Sequence, residues 1–267
     1  MVEVYDRENV TCVELEVPNM PNLFLFVTDG MLVDTGAKSY ETQIIPFLKE
    51  ASFDVVALTH SHEDHTGTAP WIQKNINIPI YISPLGIDIC SQLAPYPKYR
   101  HKIWGKREPF KPLPISDTIH SRKKEWKVLQ TPGHAEDHIA LWNKETGTLF
   151  TGDLFVAPKT KVIMSSESIP QIMASIRKVL THDFGPMFCC HAGYIPDGKR
   201  KMQQKVDYLE NLCGEVTNLY ENGLDLVEID QKIFRKKYPI TFVSEGEWDS
   251  LHIITSIIKG YKHFPSS

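Results

Sequence analysis

The sequence predicts a layered α/β fold, and three observations support that prediction. Short apolar runs, rich in β-branched residues and bounded by turn residues, recur through the first half of the chain. Amphipathic stretches with helical spacing lie between several of these runs. Lys144–Gly147 separates two further runs by the length of a hairpin turn. Alternating strands and helices that also include hairpins favour stacked layers over a purely parallel sheet.

The predicted strands are short and end at Gly, Asp, Asn or Pro, or at a histidine. In chain order they are Val10–Val17, Leu23–Val27, Met31–Asp34, Asp54–Thr59, Pro79–Ile82, Trp126–Thr131, His138–Asn143, Thr148–Thr151 and Met187–His191. The predicted helices are Tyr40–Ala51, Thr68–Asn75, Ile169–Leu180 and Asp197–Glu221. Pro46 is expected to delay the first helix or to kink it, because proline lacks a backbone donor.

Two stretches have no clear periodicity. Pro95–Ser116 contains several prolines with aromatic residues between them, and Ala157–Ser166 follows closely on Asp153. Both are predicted to be loops that border a site. The tail, about Leu224–Gly260, is predicted to be mostly helical. A boundary near Gly223 divides the chain into a catalytic domain, residues 1–222, and a small helical extension, residues 223–267.

Composition narrows the classes of function. The formal net charge of -4 and the pI of about 6.3 argue against a general nucleic-acid-binding surface, although a local basic patch stays open. The five cysteines are odd in number and scattered, so a reducing, cytoplasmic setting is expected. No run approaches the ~18 apolar residues of a membrane helix, and the N-terminus does not resemble a signal peptide. The sequence does not determine the oligomeric state, and a dimer is compatible with it.

One segment concentrates metal-binding side chains. His60, His62, Asp64 and His65 follow an apolar strand and precede a point where a helix can begin. Three imidazoles and a carboxylate at this spacing suit a borderline metal such as zinc. Further His or Asp residues follow three other predicted strands, each close to a glycine, and these are His134, Asp153 and His191. Four strand ends of this kind predict one shared metal site.

These residues resemble the metallo-β-lactamase superfamily of hydrolases. Its HxHxDH motif is met in full at residues 60–65, and its later ligand motifs match in order, with an earlier Asp34 in Val-Asp-Thr-Gly. The resemblance implies an αββα sandwich with the metal site at one edge. It implies that a first metal ion is held by His60, His62 and His134. It implies that a second is held by Asp64, His65 and His191, with Asp153 bridging the two.

The chemistry expected of such a site is hydrolysis. Two divalent metal ions, zinc first and iron or manganese as alternatives, can lower the pKa of a shared water to about 7 and so provide a bridging hydroxide. Asp64 is then both a ligand and a proton acceptor. Asp34 is expected to orient a ligand or its loop, with turn capping as the alternative. The Tyr194 hydroxyl is a candidate for stabilising an oxyanion, with packing as the favoured alternative.

The leading hypothesis is cleavage of an ester, thioester or lactone bond in a small-molecule substrate. The run Thr131–His138 is similar to the TPGHxxDH run of β-lactamase-like-2 hydrolases, a branch with endoribonuclease assignments. A phosphodiesterase or endoribonuclease is therefore the alternative, and RNA is not the favoured partner. The resemblance also leaves open an iron-dependent persulfide dioxygenase, a different class of enzyme. His138 is expected to cap or pack the following strand, and Glu63 to face solvent or form a salt bridge.

Overall fold

Two β-sheets form the centre of the fold. The structure, a computed structural model, describes residues 2–94 and 96–263. The larger sheet contains, in spatial order, β1 (Val2–Arg7), β2 (Val10–Leu15), β3 (Leu23–Thr28), β4 (Met31–Val33), β5 (Val55–Ala57), β6 (Ile80–Ile82) and β7 (Leu113–Pro114). Strands β1 to β4 pair antiparallel, and β4 to β7 pair parallel.

The second sheet follows a different order. It contains β8 (Thr118–His120), β9 (Glu125–Gln130), β10 (Ile139–Trp142), β11 (Leu149–Gly152), β13 (Met187–Cys189) and β14 (Gly193–Ile195). Its neighbours are antiparallel except β11 and β13, which pair in parallel. A small separate ladder joins β12 (Ile163–Met164) to β15 (Trp248–Asp249). This ladder connects two segments that are far apart in the sequence.

Helices cover the outer faces of both sheets. They are α1 (Glu41–Glu50), α2 (Glu63–Thr66), α3 (Ala69–Asn75), α4 (Ile87–Ser91), α5 (Lys98–Trp104), α6 (Ile169–Leu180), α7 (Gly198–Glu221), α8 (Leu226–Ile233), α9 (Pro239–Val243) and α10 (Ser250–His263). Short 3-10 turns occur at Lys38–Tyr40 and Pro84–Gly86. No helix in the described part of the chain combines the length and apolarity that a membrane crossing requires.

The alternation of side chains along the strands produces the layers. In β3, Leu23 and Leu25 join the cluster beneath α1, α3 and α5, while Phe24 and Phe26 join the cluster between the sheets. A strand that is buried on both faces has a continuous run of apolar residues in its sequence, and β3 has this pattern. A third cluster lies between the second sheet and helices α6, α7 and α10. The predicted α/β class is confirmed, with an α-β-β-α order of layers.

Several predicted elements differ from the structure. Helix α1 begins at Glu41 and continues through Pro46, so the predicted late start is wrong. Burial of Ile44 and Leu48 on the same helix offsets the one backbone hydrogen bond that Pro46 removes. The stretch 96–116 is not only loop, because it contains α5 and β7, and 157–166 contains β12. Pro95 lies outside the described residues. Strands β1, β8 and β14 were not predicted either.

The C-terminal tail packs on the second sheet's helices rather than apart from them. Four isoleucines of α10 belong to the same buried cluster as side chains of α6 and α7, and they are Ile253, Ile254, Ile257 and Ile258. The tail is mostly helical, as predicted, and adds β15. The domain boundary at residue 222 stays a prediction. Through the ladder of β12 and β15, the tail also reaches the segment that follows β11.

Candidate metal centre

The predicted ligands meet where strands of both sheets end. His60, His62, Asp64 and His65 follow β5, and one turn of α2 presents the last two. His134 lies in the turn between β9 and β10, Asp153 follows β11 directly, and His191 follows β13. These side chains are at most one tenth exposed, apart from the half-buried His62. The fold therefore brings all seven predicted ligands to one edge of the sandwich.

One group of donors consists of three imidazoles. His60, His62 and His134 each offer a ring nitrogen, and these atoms lie within 4.8 Å of one another. His134 Nε2 and His62 Nδ1 are 3.0 Å apart. Neutral imidazole nitrogens that face one point repel each other through their lone pairs unless a proton or a metal ion lies between them. This is the donor set of a catalytic zinc ion with a position left open.

A second group combines a carboxylate with two imidazoles. Asp64, His65 and His191 offer donor atoms that also lie within 4.8 Å of one another. His191 Nε2 is 3.3 Å from Asp64 Oδ2, and His65 Nε2 is 3.8 Å from the same oxygen. The mixture of nitrogen and oxygen donors fits zinc, iron or manganese.

Asp153 lies between the two groups. Its Oδ2 is 3.5 Å from His134 Nε2 in the first group. The same oxygen is 3.5 Å from His65 Nε2 and 3.2 Å from His191 Nε2 in the second. A single carboxylate oxygen at these distances from both donor sets is the arrangement that a bridging ligand requires.

Buried atoms without hydrogen-bond partners test whether the site fits a metal. His60 Nε2, His65 Nε2 and Asp153 Oδ1 are buried and make no hydrogen bond with the described residues. Leaving such a group unsatisfied costs roughly 1–3 kcal/mol, so native proteins rarely do so. All three atoms belong to the donor groups, and a metal ion would satisfy them. The residues present therefore fit divalent metal binding.

The second nitrogen of most ligand imidazoles is held by a hydrogen bond. His65 Nδ1 donates to Asp34 Oδ2 at 2.9 Å, and His134 Nδ1 donates to Glu167 Oε2 at 2.9 Å. His191 Nδ1 donates to the carbonyl of Asn22 at 3.1 Å. Each bond leaves the lone pair on Nε2, the atom that faces the donor group.

Thr59 determines the tautomer of His60. Its hydroxyl donates to Asp34 Oδ2 at 2.8 Å, so it accepts from His60 Nδ1 at 3.1 Å. Asp34 Oδ1 also accepts from the Thr59 backbone amide, and Oδ2 accepts from the Cys190 thiol at 2.9 Å. Asp34 is buried, and its contacts are those of a residue that orients ligands rather than one that only caps a turn.

Burial and neighbouring charges shift the pKa values of the ligands in opposite directions. Burial and the adjacent imidazoles hold the pKa values of His60 and His62 well below the ordinary range. Burial also disfavours protonated His65 and His191, but the Asp153 and Asp64 carboxylates outweigh it and raise both pKa values. Without a metal ion, protons are therefore favoured on His65 and His191, beside the carboxylates, and disfavoured on His60 and His62.

Glu63 and Tyr194, two candidates outside the predicted ligand set, have well-defined partners in the structure. Glu63 is buried rather than solvent-exposed, and both its carboxylate oxygens accept from Arg100, at 2.5 and 2.7 Å. The expected salt bridge therefore forms.

The Tyr194 hydroxyl donates to Glu8 at 3.2 Å, and its ring packs against Phe188 between the sheets. An oxyanion role for Tyr194 is not supported by this placement, because its hydroxyl is engaged with Glu8.

Two functional contacts were not predicted from the sequence. Glu167 lies just before α6, one residue after the predicted loop Ala157–Ser166, and its carboxylate accepts a hydrogen bond from His134. His138 was predicted to cap or pack a strand, but its ring also contacts the backbone of Asp153. No local sequence signal distinguishes Glu167 from other loop carboxylates. The TPGHxxDH similarity was the available signal for His138.

Comparison with known proteins agrees with this geometry. The model of the metallo-beta-lactamase superfamily matches residues 19–191. A probable metallo-hydrolase, YybB of Bacillus subtilis, is 33% identical over 153 residues, which are 55% of this chain and 68% of that protein. The atrochrysone carboxyl ACP thioesterase of Aspergillus fumigatus is 24% identical over 183 residues, 67% of this chain and 52% of that protein.

Solved structures show the same fold. A beta-lactamase domain protein from Burkholderia ambifaria superposes with a TM-score of 0.74 at 17% identity, and the match covers 98% of this chain and 90% of that one. At this identity the similarity concerns the fold alone. The family model extends over more than half of the chain and ends at His191, the last of the predicted ligands. The chain belongs to the metallo-beta-lactamase superfamily.

Proposed function

We propose that this metallohydrolase binds two divalent metal ions, zinc in the simplest case, and cleaves an ester, thioester or lactone bond of a small-molecule substrate. One observation carries the proposal. Asp153 Oδ2 lies 3.2–3.5 Å from imidazole nitrogens of both donor groups. Three buried donor atoms of the site, His60 Nε2, His65 Nε2 and Asp153 Oδ1, have no hydrogen-bond partner among the described residues. This arrangement supports a dinuclear site in preference to a single metal ion.

Metal ions held there supply Lewis acidity toward a carbonyl oxygen and lower the pKa of water. Asp64 supplies the proton acceptor. In the metal-free site burial alone would raise its pKa, but protonated His65 and His191 outweigh that effect and hold the pKa below the ordinary value of an aspartate. There the carboxylate is ionised at neutral pH, within the second donor group. From there it can accept a proton and pass it to the leaving group.

Two arguments support an acyl bond as the one cleaved: the chemistry of the donor groups and the name of one relative. Acyl transfer to water needs a Lewis acid and a base near each other, and the two donor groups with Asp64 provide both roles. The Aspergillus fumigatus relative is named a thioesterase, and this name supports testing thioesters first among the candidate bonds. The net charge of -4 omits bound cations, so it does not by itself exclude an anionic substrate. Phosphodiester cleavage is an outcome that the assay must resolve.

The experiment combines metal analysis with a substrate panel. The panel contains acyl thioesters, lactones, aryl esters, aryl phosphodiesters and single-stranded RNA. We expect about two zinc ions per chain and thioester, lactone or aryl ester hydrolysis that falls at least 100-fold in Asp64→Asn and in His134→Ala. Asp183→Asn and His120→Ala are matched controls, because both side chains are largely exposed.

Three results would contradict the proposal. The first is less than one metal ion per chain in carefully prepared wild type, and the second is hydrolysis that survives both substitutions. The third is activity confined to phosphodiesters or RNA, which would support the alternative hypothesis of a phosphodiesterase or endoribonuclease. Iron in place of zinc, with oxygen uptake in the presence of glutathione persulfide, would identify a dioxygenase instead.

A further inference from the structure

Three segments far from each other in the sequence meet at one guanidinium group. Arg100 lies on α5 in the stretch that follows β6, and its side chain is only 8% exposed. It contacts three segments: residues 60–65, which we call the ligand loop, through Glu63; the segment after Asp153 through Met164; and the C-terminal tail through Glu247. The family model ends at residue 191, so Glu247 lies outside the part of the chain that the model matches.

The contact with the ligand loop is fully buried and bidentate. Arg100 Nε and Nη2 donate to the two oxygens of Glu63, a side chain with no exposed surface. Glu63 stands directly between the predicted ligands His62 and Asp64. Because a bidentate pair fixes orientation as well as distance, it restricts the backbone that carries both ligands.

A second contact restrains the same loop one residue earlier than His62. The Arg100 guanidinium lies over the Tyr96 ring, 4.5 Å from its centroid. The Tyr96 hydroxyl donates to the carbonyl of Ser61 at 2.8 Å. The backbone is thus held at residue 61 through Tyr96 and at residue 63 through Arg100. His62, the half-buried member of the imidazole group, lies between these two points.

The C-terminal tail also contacts the Arg100 guanidinium. Arg100 Nη1 donates to Glu247 Oε1 at 3.3 Å and lies 3.4 Å from the Met164 sulfur. Glu247 directly precedes β15, and Trp248 of β15 pairs with Met164 of β12. The short ladder therefore places both the carboxylate and the sulfur against Arg100. One of the contacts to the Arg100 guanidinium therefore comes from the tail.

We propose that Arg100 is a positioning residue for the metal centre, and that Glu247 makes the C-terminal tail part of that positioning. The inference rests on the proposed metal binding but not on which bond is cleaved. It assigns the tail a role in setting the geometry of His62 and Asp64. The rival explanation is a buried ion cluster that only stabilises the fold, and such a cluster would affect unfolding without affecting metal binding.

The test measures metal binding directly. Wild type, Glu247→Gln, Arg100→Lys and the control Glu210→Gln are titrated with Co²⁺ and with Zn²⁺ against a chromogenic chelator, and the Co²⁺ absorption spectrum is recorded. Glu210 is the matched control, because it is a carboxylate paired with an arginine, Arg177, at the surface. We expect Glu247→Gln and Arg100→Lys to weaken metal affinity about 10-fold and to shift the Co²⁺ bands, as for residues that orient ligands. The control should match wild type.

Thermal unfolding of each metal-free variant separates positioning from stabilisation. Wild-type affinity and an unaltered Co²⁺ spectrum in Glu247→Gln would overturn the proposal, whether or not its unfolding temperature falls. An equal change in the control would overturn it too. If Arg100→Lys does not fold, Glu247→Gln alone decides the test, because it removes the negative charge that the tail presents to Arg100. Metal-loaded wild type that cleaves nothing in the substrate panel would contradict the proposed reaction and leave this result standing.

Discussion

The imidazole of His138 accepts a hydrogen bond from the backbone N–H of Asp153 at 3.0 Å. The acceptor is Nε2, and Nδ1 lies 2.8 Å from the Thr131 hydroxyl. Burial lowers the pKa of His138 to about 3, so the ring stays neutral and keeps the lone pair that this bond needs. A Cβ on Gly152 would lie 2.6 Å from Nε2, and the φ of +48° also favours glycine. His138 and Gly152 together set the position of Asp153.

His138→Ala tests this relationship. The substitution leaves the buried amide of Asp153 without an acceptor, at a cost of about 1–3 kcal/mol in the free energy of unfolding. We also expect metal affinity to fall 10- to 100-fold, because the backbone of Asp153, the carboxylate that we propose bridges the two ions, is no longer held. Denaturant unfolding and a metal titration measure the two effects, with the largely exposed His120→Ala as control. If His138→Ala lowers stability but leaves metal affinity unchanged, His138 contributes to packing and does not position Asp153 for metal binding.

Glu167→Gln tests the orientation of His134. One carboxylate oxygen of Glu167 accepts from His134 Nδ1, and the other accepts from the Met164 amide at 2.8 Å. A glutamine has only one acceptor oxygen, so either contact must then place two donors against each other. We expect a 10- to 100-fold loss of metal affinity or activity. The surface substitution Glu210→Gln should have no such effect, and equal affinities in the two variants would refute the role.

Much of the candidate metal centre could be predicted because its candidate ligands are encoded locally. The HxHxDH run places four of them within six residues, and His134, Asp153 and His191 each follow an apolar strand near a glycine. Such strand ends are readable from the sequence since the strand, its apolar face and its terminal turn are all local patterns. The same locality made Ile169–Leu180 match α6 in both bounds.

The groups that orient the ligands could not be predicted, because they come from distant segments. Glu167 is 33 residues from His134, and Glu247 is 147 residues from Arg100. Helix α5 was missed although Pro97 precedes it and Gly105, with a φ of +80°, ends it. Those two residues are the boundary signals of a helix, but the surrounding prolines obscured them. The ladder of β12 and β15 has two residues in each strand, too few for a sequence period to show.

His65→Ala tests whether the site holds two ions. His65 belongs to the second donor group, whereas His60, His62 and His134 do not need it. We therefore expect about one metal ion per chain in the variant and about two in wild type and in His120→Ala. Metal analysis after dialysis against a weak chelator gives the count. Two ions retained in His65→Ala would contradict the assignment of this ligand, and loss of both would contradict the independence of the first group.

Lys205 gives a prediction about pH from a residue that is not itself a candidate metal ligand. Its side chain is buried on α7, and Nζ donates to the carbonyl of Phe155. Burial lowers its pKa from 10.5 to about 8, which means that the charged form is less favourable in the folded protein than in the unfolded chain. This penalty is fully present below pH 8 and decreases as pH rises toward 10.5. The unfolded chain binds more protons in that window, so the contribution to stability rises with pH.

Lys205→Met removes the titrating group and keeps most of the apolar stem. We expect wild type to gain about 2 kcal/mol relative to the variant between pH 7 and pH 9.5, because the folded lysine loses its proton in that interval while the unfolded lysine keeps most of its own. Denaturant unfolding of both proteins at the two pH values measures the difference, and other groups cancel in the comparison. The exposed Lys199, treated in the same way with Lys199→Met, should show no such gain. A difference between wild type and Lys205→Met that is constant with pH would show that Lys205 has the same pKa folded and unfolded.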